Sequence, residues 1–218
     1  MNQELSIAIP TYKRSDILKD TLPILIKQAK KYSISIYIFD NSPDNLTEIL
    51  IDRLKIDHNQ LYLIPNKKYL GHDLNILRAL SDPKTNYTWL LGDGLIVEDG
   101  IINKILDIIN DIKPKIIGIN SVGRNIDEDE GIYNNENAVF NKFCWHQSLT
   151  GSTVYNKHSL KLINHLSFEK SDNFPHINII FNSLLNDCNY YWIKKEYMRG
   201  HPKKDSYWKD DVFEVFID

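Results

Sequence analysis

The sequence predicts a single α/β domain in which a mostly parallel central sheet is flanked by helices. The chain has 218 residues, which suits one large domain with a substantial core better than two ordinary domains. Short apolar runs alternate with amphipathic segments in the first half, and this is the pattern of strand–helix units that build a parallel sheet. No internal repeat or low-complexity tract interrupts the chain.

Short apolar runs of the first half are predicted as strands, and two amphipathic segments among them as helices. The strands cover residues 5–9, 34–39, 61–64, 87–91 and 116–119. Apolar residues at helical spacing predict helices over 15–32 and 100–114, and Pro114 ends the second helix. These elements form the predicted sheet and the first of the helices that cover it.

The second half of the chain has a less regular pattern. Residues 123–141 are polar and rich in acidic side chains and Asn, so a long surface excursion is predicted there. Beyond it, the patterns predict a strand and a helix over 151–166, an amphipathic helix over 173–186 and a final strand over 190–195. These late elements are expected to continue the same domain and to supply a lid or acceptor wall.

Composition narrows the classes of function. Hydrophobic residues at 42% and charged residues at 25% are ordinary for a soluble globular protein, and a net charge of −3 argues against a nucleic-acid partner. Cys144 and Cys188 form neither a disulfide framework nor a metal motif. No apolar run approaches a membrane span and no export signal is recognised, so a cytoplasmic location is predicted.

Polar and cationic side chains follow successive predicted strands. In an open parallel sheet, ligands bind beyond the carboxyl ends of the strands, so these positions predict a binding site. An anion is favoured at the helix entrance after the first strand. Each residue alone has an ordinary explanation, such as packing, capping or a turn, but their joint placement favours a site. The set comprises Pro10, Thr11, Tyr12, Arg14, Asp40, Asn41, Gly71, Asp73, Asn75, Gly92 and Asp93.

The stretches LSIAIPTYKR, IYIFDNSPDN, LGHDLNILRAL and TWLLGDGLIVEDG resemble the nucleotide-binding half of family 2 inverting glycosyltransferases of the GT-A fold. The resemblance covers residues 4–110 well and the remainder in outline. It implies one GT-A domain over 1–218, with a nucleotide-sugar-binding half at 1–110 and an acceptor-side half with a closing loop at 111–218. It also implies a hexosyltransferase-like enzyme of polysaccharide biosynthesis, which moves a sugar with inversion from a UDP-sugar to a carbohydrate or lipid-linked glycan.

The resemblance implies roles for the residues at the strand ends. Thr11, Tyr12 and Arg14 match the segment that packs around the base and phosphates of the nucleotide-sugar. Asp40 matches the carboxylate that accepts a hydrogen bond from the uracil ring, and an ionised acceptor suits an imide N–H. Residues 71–75 match the family's glycine-to-asparagine segment, in which a helix entrance approaches the donor.

The chain departs from the family pattern at the metal motif. The family's Asp-x-Asp motif would hold Mn²⁺ or Mg²⁺, but Leu95 stands here where the second aspartate is expected. Asp93 is favoured as a metal ligand with phosphate oxygens, waters and another protein ligand such as His201. Alternatively, cations of the late segment neutralise the diphosphate without a metal. That segment resembles the family's closing loop and carries Arg199, His201, Lys203 and Lys204.

Inversion requires a general base that accepts the proton of the acceptor hydroxyl as the sugar–phosphate bond breaks. The resemblance implies a carboxylate at the start of a late helix for this role, and Asp172 is the best match. Glu169 and His176 are the alternatives. The ordinary structural explanation of Asp172 is a helix N-cap.

Other functions remain open at the level of sequence. The weakened metal motif leaves room for a noncatalytic nucleotide-sugar-binding subunit that partners an active transferase. A nucleotidyltransferase on a similar sheet is disfavoured, because no glycine-rich, cationic triphosphate loop follows the first strand. Besides the donor and the glycan acceptor, the apolar late helices are compatible with a protein partner or with peripheral docking at the inner face of the membrane.

Overall fold

A computed structural model describes residues 4–54, 59–165 and 174–203 of the chain. Within these residues, one nine-stranded sheet carries helices on both faces. The strands are β1 (Leu5–Thr11), β2 (Ser35–Asp40), β3 (Leu61–Pro65), β4 (Tyr87–Leu90), β5 (Leu95–Val97), β6 (Ile116–Ser121), β7 (Gly131–Tyr133), β8 (Thr153–Asn156) and β9 (Tyr190–Gly200). The helices are α1 (Ser15–Lys31), α2 (Leu46–Leu54), α3 (His72–Ser81), α4 (Ile101–Asp111), α5 (Glu136–Gln147), α6 (Lys157–Leu160) and α7 (Pro175–Leu184), with a 3₁₀ helix at Lys161–Asn164.

The sheet is mostly parallel, which confirms the predicted fold class. Its strand order is β3-β2-β1-β4-β8-β6-β9-β5, and β7 pairs with β9 outside this path. The β1–β2, β1–β4, β2–β3 and β6–β9 pairs are parallel, whereas β8 is antiparallel to both of its neighbours. Strands β5 and β7 are antiparallel to β9. The carboxyl ends of β1, β2, β4 and β6 therefore meet at one edge of the sheet.

Two apolar layers enclose the sheet. Successive residues of β1 point to opposite faces, so Ile7 belongs to one layer and Ala8 to the other. Helices α1 and α4 pack on the first face, where Ile105 is fully buried, and α3, α5 and α7 pack on the second, where Phe143 is fully buried. Burial on both faces explains why β1 reads as a nearly continuous apolar run.

The structure contains elements that the sequence patterns do not predict. Helix α2 and the short strands β5 and β7 are among them, and three-residue strands are too short for a periodic signal. The predicted surface excursion over 123–141 contains β7 and the beginning of α5. None of the helices in the described part of the chain is long and apolar enough to cross a membrane.

Strand β9 extends further than predicted, to Gly200 rather than to residue 195. Its second half pairs antiparallel with β5, where Arg199 lies opposite Ile96. Arg199 is therefore a strand residue, and the prediction that it shares a loop with His201 and Lys203 is corrected. The cause is nonlocal, because β9 is continued by hydrogen bonds to a strand about a hundred residues earlier.

Candidate active site

A pocket of about 810 Å³ opens at the edge of the sheet where β1, β4 and β6 end. This size is suitable for a nucleotide-sized ligand, since ligand pockets usually measure about 300–1,000 Å³. The segments after β1, β4, β6 and β9 contribute to it, together with the start of α3 and the segment around the end of α5. Of the residues predicted from sequence, the pocket is lined by Pro10, Thr11, Tyr12, Arg14, Asn41, Asn75, Gly92, Asp93 and His201.

The other described site residues do not line the pocket; they are Asp40, Gly71, Asp73, Arg199 and Lys203. Asp40 is buried at the end of β2, and its Oδ1 accepts hydrogen bonds from the backbone N–H of Ser42 at 2.9 Å and from its hydroxyl at 2.6 Å. Arg199 has its Nε 3.6 Å from the Glu98 carboxylate. These residues therefore lie behind or beside the lining.

Asparagines brace the segment between β3 and α3. Asn41 accepts a hydrogen bond from Asn66 at 2.9 Å and donates one to the Gly71 carbonyl at 3.1 Å. Asn75 accepts from Asn66 at 2.9 Å and donates to the Phe39 carbonyl at 3.0 Å. Gly71 has a φ of +81°, a left-handed conformation that favours glycine. The predicted residues Asn41 and Asn75 therefore fix the path of the chain into α3.

Two tyrosines form an aromatic rim on the pocket. Tyr12 is 42% exposed and Tyr69 is 64% exposed, and their ring centroids lie 5.2 Å apart at an interplanar angle of 52°. Exposed aromatic rings at a pocket offer flat surfaces on which a base can stack. Tyr69 is missing from the sequence prediction, although an aromatic residue between polar residues 66–68 and the Gly71 turn is a visible signal.

Asp93 joins the ends of β1 and β4 within the pocket. Its Oδ2 accepts a hydrogen bond from the Thr11 hydroxyl at 3.0 Å, and its Oδ1 lies 3.1 Å from an Arg14 guanidinium nitrogen. The Asp93 carbonyl accepts a hydrogen bond from the Thr21 hydroxyl of α1 at 3.2 Å. The side chains of Arg14 and Asp93 are 28% and 11% exposed, so their ion pair is partly shielded from water. Two predicted residues, Thr11 and Arg14, thus contact a third, Asp93, directly.

Close backbone approach explains the glycine before Asp93. A Cβ at Gly92 would lie 2.6 Å from the carbonyl oxygen of Thr150, which is closer than real Cβ contacts. Because this space is left open, the segment after α5 packs directly on the turn that follows β4. The contact brings Ser148, Leu149 and Thr150 into the wall of the pocket.

The residues around Asp93 do not by themselves provide a metal site. Both carboxylate oxygens of Asp93 are engaged, by the Thr11 hydroxyl and by the Arg14 guanidinium, which supplies positive charge beside the carboxylate. Leu95 is buried and apolar at the position of the missing aspartate. Within residues 4–54, 59–165 and 174–203, no group of three His, Cys, Asp or Glu side chains is arranged to hold a metal.

His201, the second predicted metal ligand, already has partners for both ring nitrogens. Its Nε2 lies 3.3 Å from the Asp20 carboxylate, and its Nδ1 accepts a hydrogen bond from the Lys203 backbone N–H at 3.2 Å. Its own backbone N–H donates to the Gly94 carbonyl at 2.8 Å. These contacts hold His201 in the pocket wall and connect the end of β9 to α1 and to the turn after β4.

Two buried histidines of the second half do not line the pocket. His146 donates from Nε2 to the Ile119 carbonyl at 2.7 Å, and His176 donates from Nε2 to the Gln147 carbonyl at 3.1 Å. Burial lowers the pKa of each imidazole to about 4, because the charged form would lose its hydration. His176, the alternative base, is therefore a neutral core residue at pH 7 in this conformation.

The part of the pocket wall contributed by the end of β6 and by α5 carries an arginine and a tryptophan. Arg124 follows β6, and Trp145 lies on α5. The guanidinium carbon of Arg124 lies 5.1 Å from the centroid of the Trp145 ring, and its Nη1 donates to the Trp145 carbonyl at 3.3 Å. The sequence prediction does not include either residue. Arg124 belongs to the polar segment 123–141, and no local pattern indicates that it faces a pocket.

The predicted base Asp172 lies outside the described residues, as do Glu169 and Lys204. Phe174 is the first described residue after this gap, and it lines the pocket. The chain therefore re-enters the described structure at the pocket, two residues after Asp172.

Residues 6–187 match the sequence model of glycosyl transferase family 2. The match includes every strand-end segment described above apart from the residues after β9. Comparison with curated protein sequences gives no match.

Solved structures with a similar fold contain nucleotide-sugars. Staphylococcus aureus TarS 1–349 in complex with UDP-GlcNAc gives a TM-score of 0.72 at 16% identity, covering 93% of this chain and 60% of that one. The TarS 1–349 complex with UDP gives a TM-score of 0.72 at 17% identity, covering 97% of this chain and 63% of that one. The mannosyltransferase PcManGT from Pyrobaculum calidifontis, in complex with GDP-Man and Mn²⁺, gives a TM-score of 0.66 at 11% identity. It covers 95% of this chain and 59% of that one. The chain thus spans about 60% of the length of these proteins, and the likeness confirms the GT-A fold.

Proposed function

The chain belongs to glycosyl transferase family 2, and from this premise we propose that it is an inverting glycosyltransferase. The proposed donor is a UDP-sugar, and the proposed acceptor is a carbohydrate or a lipid-linked glycan of a polysaccharide pathway. TarS supports a uridine nucleotide, because its structures contain UDP and UDP-GlcNAc. The cytoplasmic location and docking at the inner face of the membrane stay predictions.

One observation carries this proposal. Thr11 and Arg14 both contact Asp93 at the strand ends, in a pocket whose rim is formed by Tyr12 and Tyr69. A hydroxyl, a guanidinium and a carboxylate can bind the ribose and phosphates of a nucleotide, while the aromatic rings cover its base. This combination supports donor binding on the β1 and β4 side of the pocket.

Asp40 is proposed to recognise the uracil ring. Its Oδ1 is held by Ser42, and this leaves the second carboxylate oxygen to accept a hydrogen bond from the imide N–H. Asp40 itself is buried, but its neighbour Asn41 lines the pocket. A uracil that enters beside Asn41 and Tyr12 would therefore approach this carboxylate.

The proposed reaction is a single displacement at the anomeric carbon. The oxygen of an acceptor hydroxyl bonds to this carbon, the bond from the carbon to the diphosphate oxygen breaks, and its electron pair leaves with UDP. The hydroxyl proton passes to the Asp172 carboxylate as general base. The position of Phe174 in the pocket lining supports this role, because Asp172 stands two residues earlier in the chain.

Positive charge for the departing diphosphate is proposed to come from Arg14. Lys203 is 70% exposed near the pocket residue His201 and can contribute if the segment closes over the donor, whereas Arg199 is held near Glu98. Mn²⁺ in PcManGT supports metal use elsewhere in this fold. Here the donor set around Asp93 supports a reaction that depends on neither Mn²⁺ nor Mg²⁺.

A noncatalytic nucleotide-sugar-binding subunit is the second candidate. The observation that favours it is the occupied carboxylate of Asp93, which pairs with Arg14 beside the apolar Leu95. Both candidates predict tight UDP binding. Only the transferase predicts turnover, so the wild-type protein distinguishes them.

A panel of nucleotide-sugars tests the proposal directly. UDP-, GDP- and TDP-sugars are compared for thermal stabilisation and for slow hydrolysis, with and without glycan acceptors. We expect UDP-sugars to raise the melting temperature most, because a ligand that binds only the folded state stabilises it by mass action. Stabilisation by UDP without hydrolysis or transfer would favour the binding subunit. Absence of stabilisation by every nucleotide-sugar would contradict both candidates.

A further inference from the structure

The pocket extends past the donor side onto residues of the second half of the chain. β6 ends at Ser121, and the next residues turn along the pocket wall as far as Arg124. Trp145 reaches the same wall from α5. These residues face the pocket from different elements than Arg14 and Asp93, which follow β1 and β4. One pocket therefore has two chemically distinct sides.

Arg124 is a cation without an acidic partner in the described part of the chain. It lies near a strongly acidic run, but those acids pair with other residues. Asp127 lies 2.8 Å from Lys194, Glu130 lies 2.6 Å from Lys104, and Glu128 pairs with Lys142. Arg124 itself contacts the carbonyl and the ring of Trp145.

The side chain of Arg124 is partly buried in the pocket wall. Burial lowers the pKa of its guanidinium, although arginine remains charged at neutral pH. A partly buried charge is costly unless a counter-charge approaches it, so this position favours an anionic ligand. The guanidinium lies over the indole of Trp145, and this contact limits the directions in which it can point.

Apolar surface is exposed beside this cation. Trp145 is 54% exposed and Val122 is 53% exposed, and both line the pocket. An indole presents a flat, polarisable surface against which the C–H face of a sugar ring can pack, while its hydroxyls stay in water. A guanidinium next to such a surface matches a sugar that carries an anionic group.

We propose that Arg124 and Trp145 form an acceptor subsite for an anionic saccharide, with the sugar ring on the indole and its phosphate or carboxylate on the guanidinium. The inference rests on the proposed transferase function and names the chemical class of its acceptor. Arg124 acts in this subsite as a binding residue that positions the acceptor beside the donor.

Three saccharides that differ only at carbon 6 test the subsite: glucose, glucuronic acid and glucose 6-phosphate. Binding to the full chain saturated with UDP is measured by NMR titration. We expect at least one anionic sugar to bind about tenfold more tightly than glucose, the gain from a charge-assisted contact. Phosphate and carboxylate are distinguished by which of the two anionic sugars binds more tightly.

Variants assign the effect to the two residues. Arg124→Gln should lower the affinity for the anionic sugars to that for glucose, and Arg124→Lys should retain part of the preference. Trp145→Ala should weaken the binding of all three sugars. If the alanine variant does not fold, Trp145→Phe provides a milder change at the same position. Matched controls are Arg53→Gln on α2 and Phe140→Ala on α5, which lie outside the pocket lining.

The outcomes separate this subsite from the donor site. UDP affinity should be unchanged in Arg124→Gln, because the donor lies on the Arg14 side. Equal binding of all three sugars to the wild type, or an anion preference that survives Arg124→Gln, would overturn the proposal. If Arg124→Gln lowered the affinity for UDP as much as the affinity for the anionic sugars, Arg124 would belong to the donor site instead. Failure of wild-type UDP binding would contradict the proposed function, whereas the sugar titrations, repeated without UDP, would still decide the subsite.

Discussion

The Arg14 guanidinium lies 3.1 Å from the Asp93 carboxylate, across the ends of two neighbouring parallel strands. The register of β1 and β4 places Ala8 beside Leu90, so the segments that follow them run out of the sheet together. The resemblance to family 2 implies a metal next to this carboxylate. In this chain a guanidinium provides the positive charge there.

The first prediction concerns metal dependence. UDP binding and sugar transfer should persist in EDTA and change little on addition of Mn²⁺, because Arg14 carries the charge that a cation would supply. Arg14→Ala should weaken UDP binding by about tenfold or more, the loss expected for a charge-assisted contact to phosphate. Calorimetric titration measures UDP binding in EDTA, in Mn²⁺ and in the Arg14 variant, and a transfer assay measures the activity. Arg53→Ala is the matched control. Loss of UDP binding in EDTA that Mn²⁺ restores would show that a metal is required.

Recognition of uracil gives the second prediction. Asp40→Asn should weaken UDP binding by about tenfold to a hundredfold, because an ionised acceptor for the ring N–H contributes about 1.5–3 kcal/mol. CDP is the internal control: cytosine has an acceptor nitrogen instead of an N–H at the equivalent ring position, and the asparagine amide can donate to it, so CDP binding should be unchanged or stronger. The ratio of the two dissociation constants reports the effect. An unchanged ratio in a folded variant would remove Asp40 from the base site.

The aromatic rim gives the third prediction. Tyr69→Ala should weaken UDP binding by roughly fivefold to a hundredfold, because stacking of a base on an aromatic ring contributes about 1–3 kcal/mol. Tyr62→Ala is the matched control: Tyr62 stacks on Tyr37 with centroids 5.1 Å apart and does not line the pocket. Equal UDP affinities for the two variants would assign Tyr69 a structural role only.

Catalysis by Asp172 gives the fourth prediction. Asp172→Asn should leave UDP binding nearly intact and lower the transfer rate by roughly 10²- to 10⁴-fold, the usual contribution of a general base. Steady-state kinetics with the best donor from the panel provide the measurement. Glu169→Gln, at the alternative carboxylate, should by contrast retain transfer activity, and a large loss there would assign the base to Glu169. Full transfer activity in the Asp172 variant would move the role to another residue.

Acid sensitivity of folding gives the fifth prediction. Burial lowers the pKa of His146 and His176 to about 4, below the value of about 6.5 for an unfolded histidine. Between these two pH values the unfolded chain binds more protons than the folded protein. The contribution of the two neutral histidines to the free energy of unfolding is therefore fully present above about pH 6.5 and falls as the pH drops towards 4. Each histidine contributes a slope of at most about 1.4 kcal/mol per pH unit.

Urea unfolding between pH 7 and pH 4.5 measures this slope. His176→Gln should reduce it, because glutamine can donate to the Gln147 carbonyl and does not titrate. The exposed His158→Gln is the control and should leave the slope unchanged. A slope that is identical in wild type and in His176→Gln would indicate that carboxylates, rather than the buried imidazoles, cause the acid sensitivity.

Much of the donor side could be predicted from sequence because its signals are local. The apolar run of β1 and the polar residues after it lie within a few positions of each other, and the same holds for β4 and Asp93. A strand that is buried on both faces must be apolar, and the residues after it are free to be polar. Thr11, Arg14 and Asp93 were therefore predicted at strand ends, and the structure brings them together.

Local patterns could not predict the rest of the site. Arg199 was predicted in a loop, but pairing with β5 extends β9 through it. Arg124 lies in a polar segment that resembles any solvated loop. Trp145 lies on a helix whose apolar residues do not mark its buried face, because His146 and Gln147 are buried while Phe140 and Trp145 are exposed. Arg124 and Trp145 reach the pocket because β6 lies beyond β8 in the sheet and α5 packs over that region.

By itself, therefore, the sequence predicted the family, most of the longer strands and most of the strand-end residues that line the pocket, but not β5, β7 or Tyr69. Which side chains meet was decided only by the tertiary structure. Asp93 has Arg14 as its partner, His201 lies near Asp20, and these contacts join elements that are far apart in the chain. The physical reason is that periodicity reports which face of an element is buried, whereas contacts between side chains depend on strand order and helix packing.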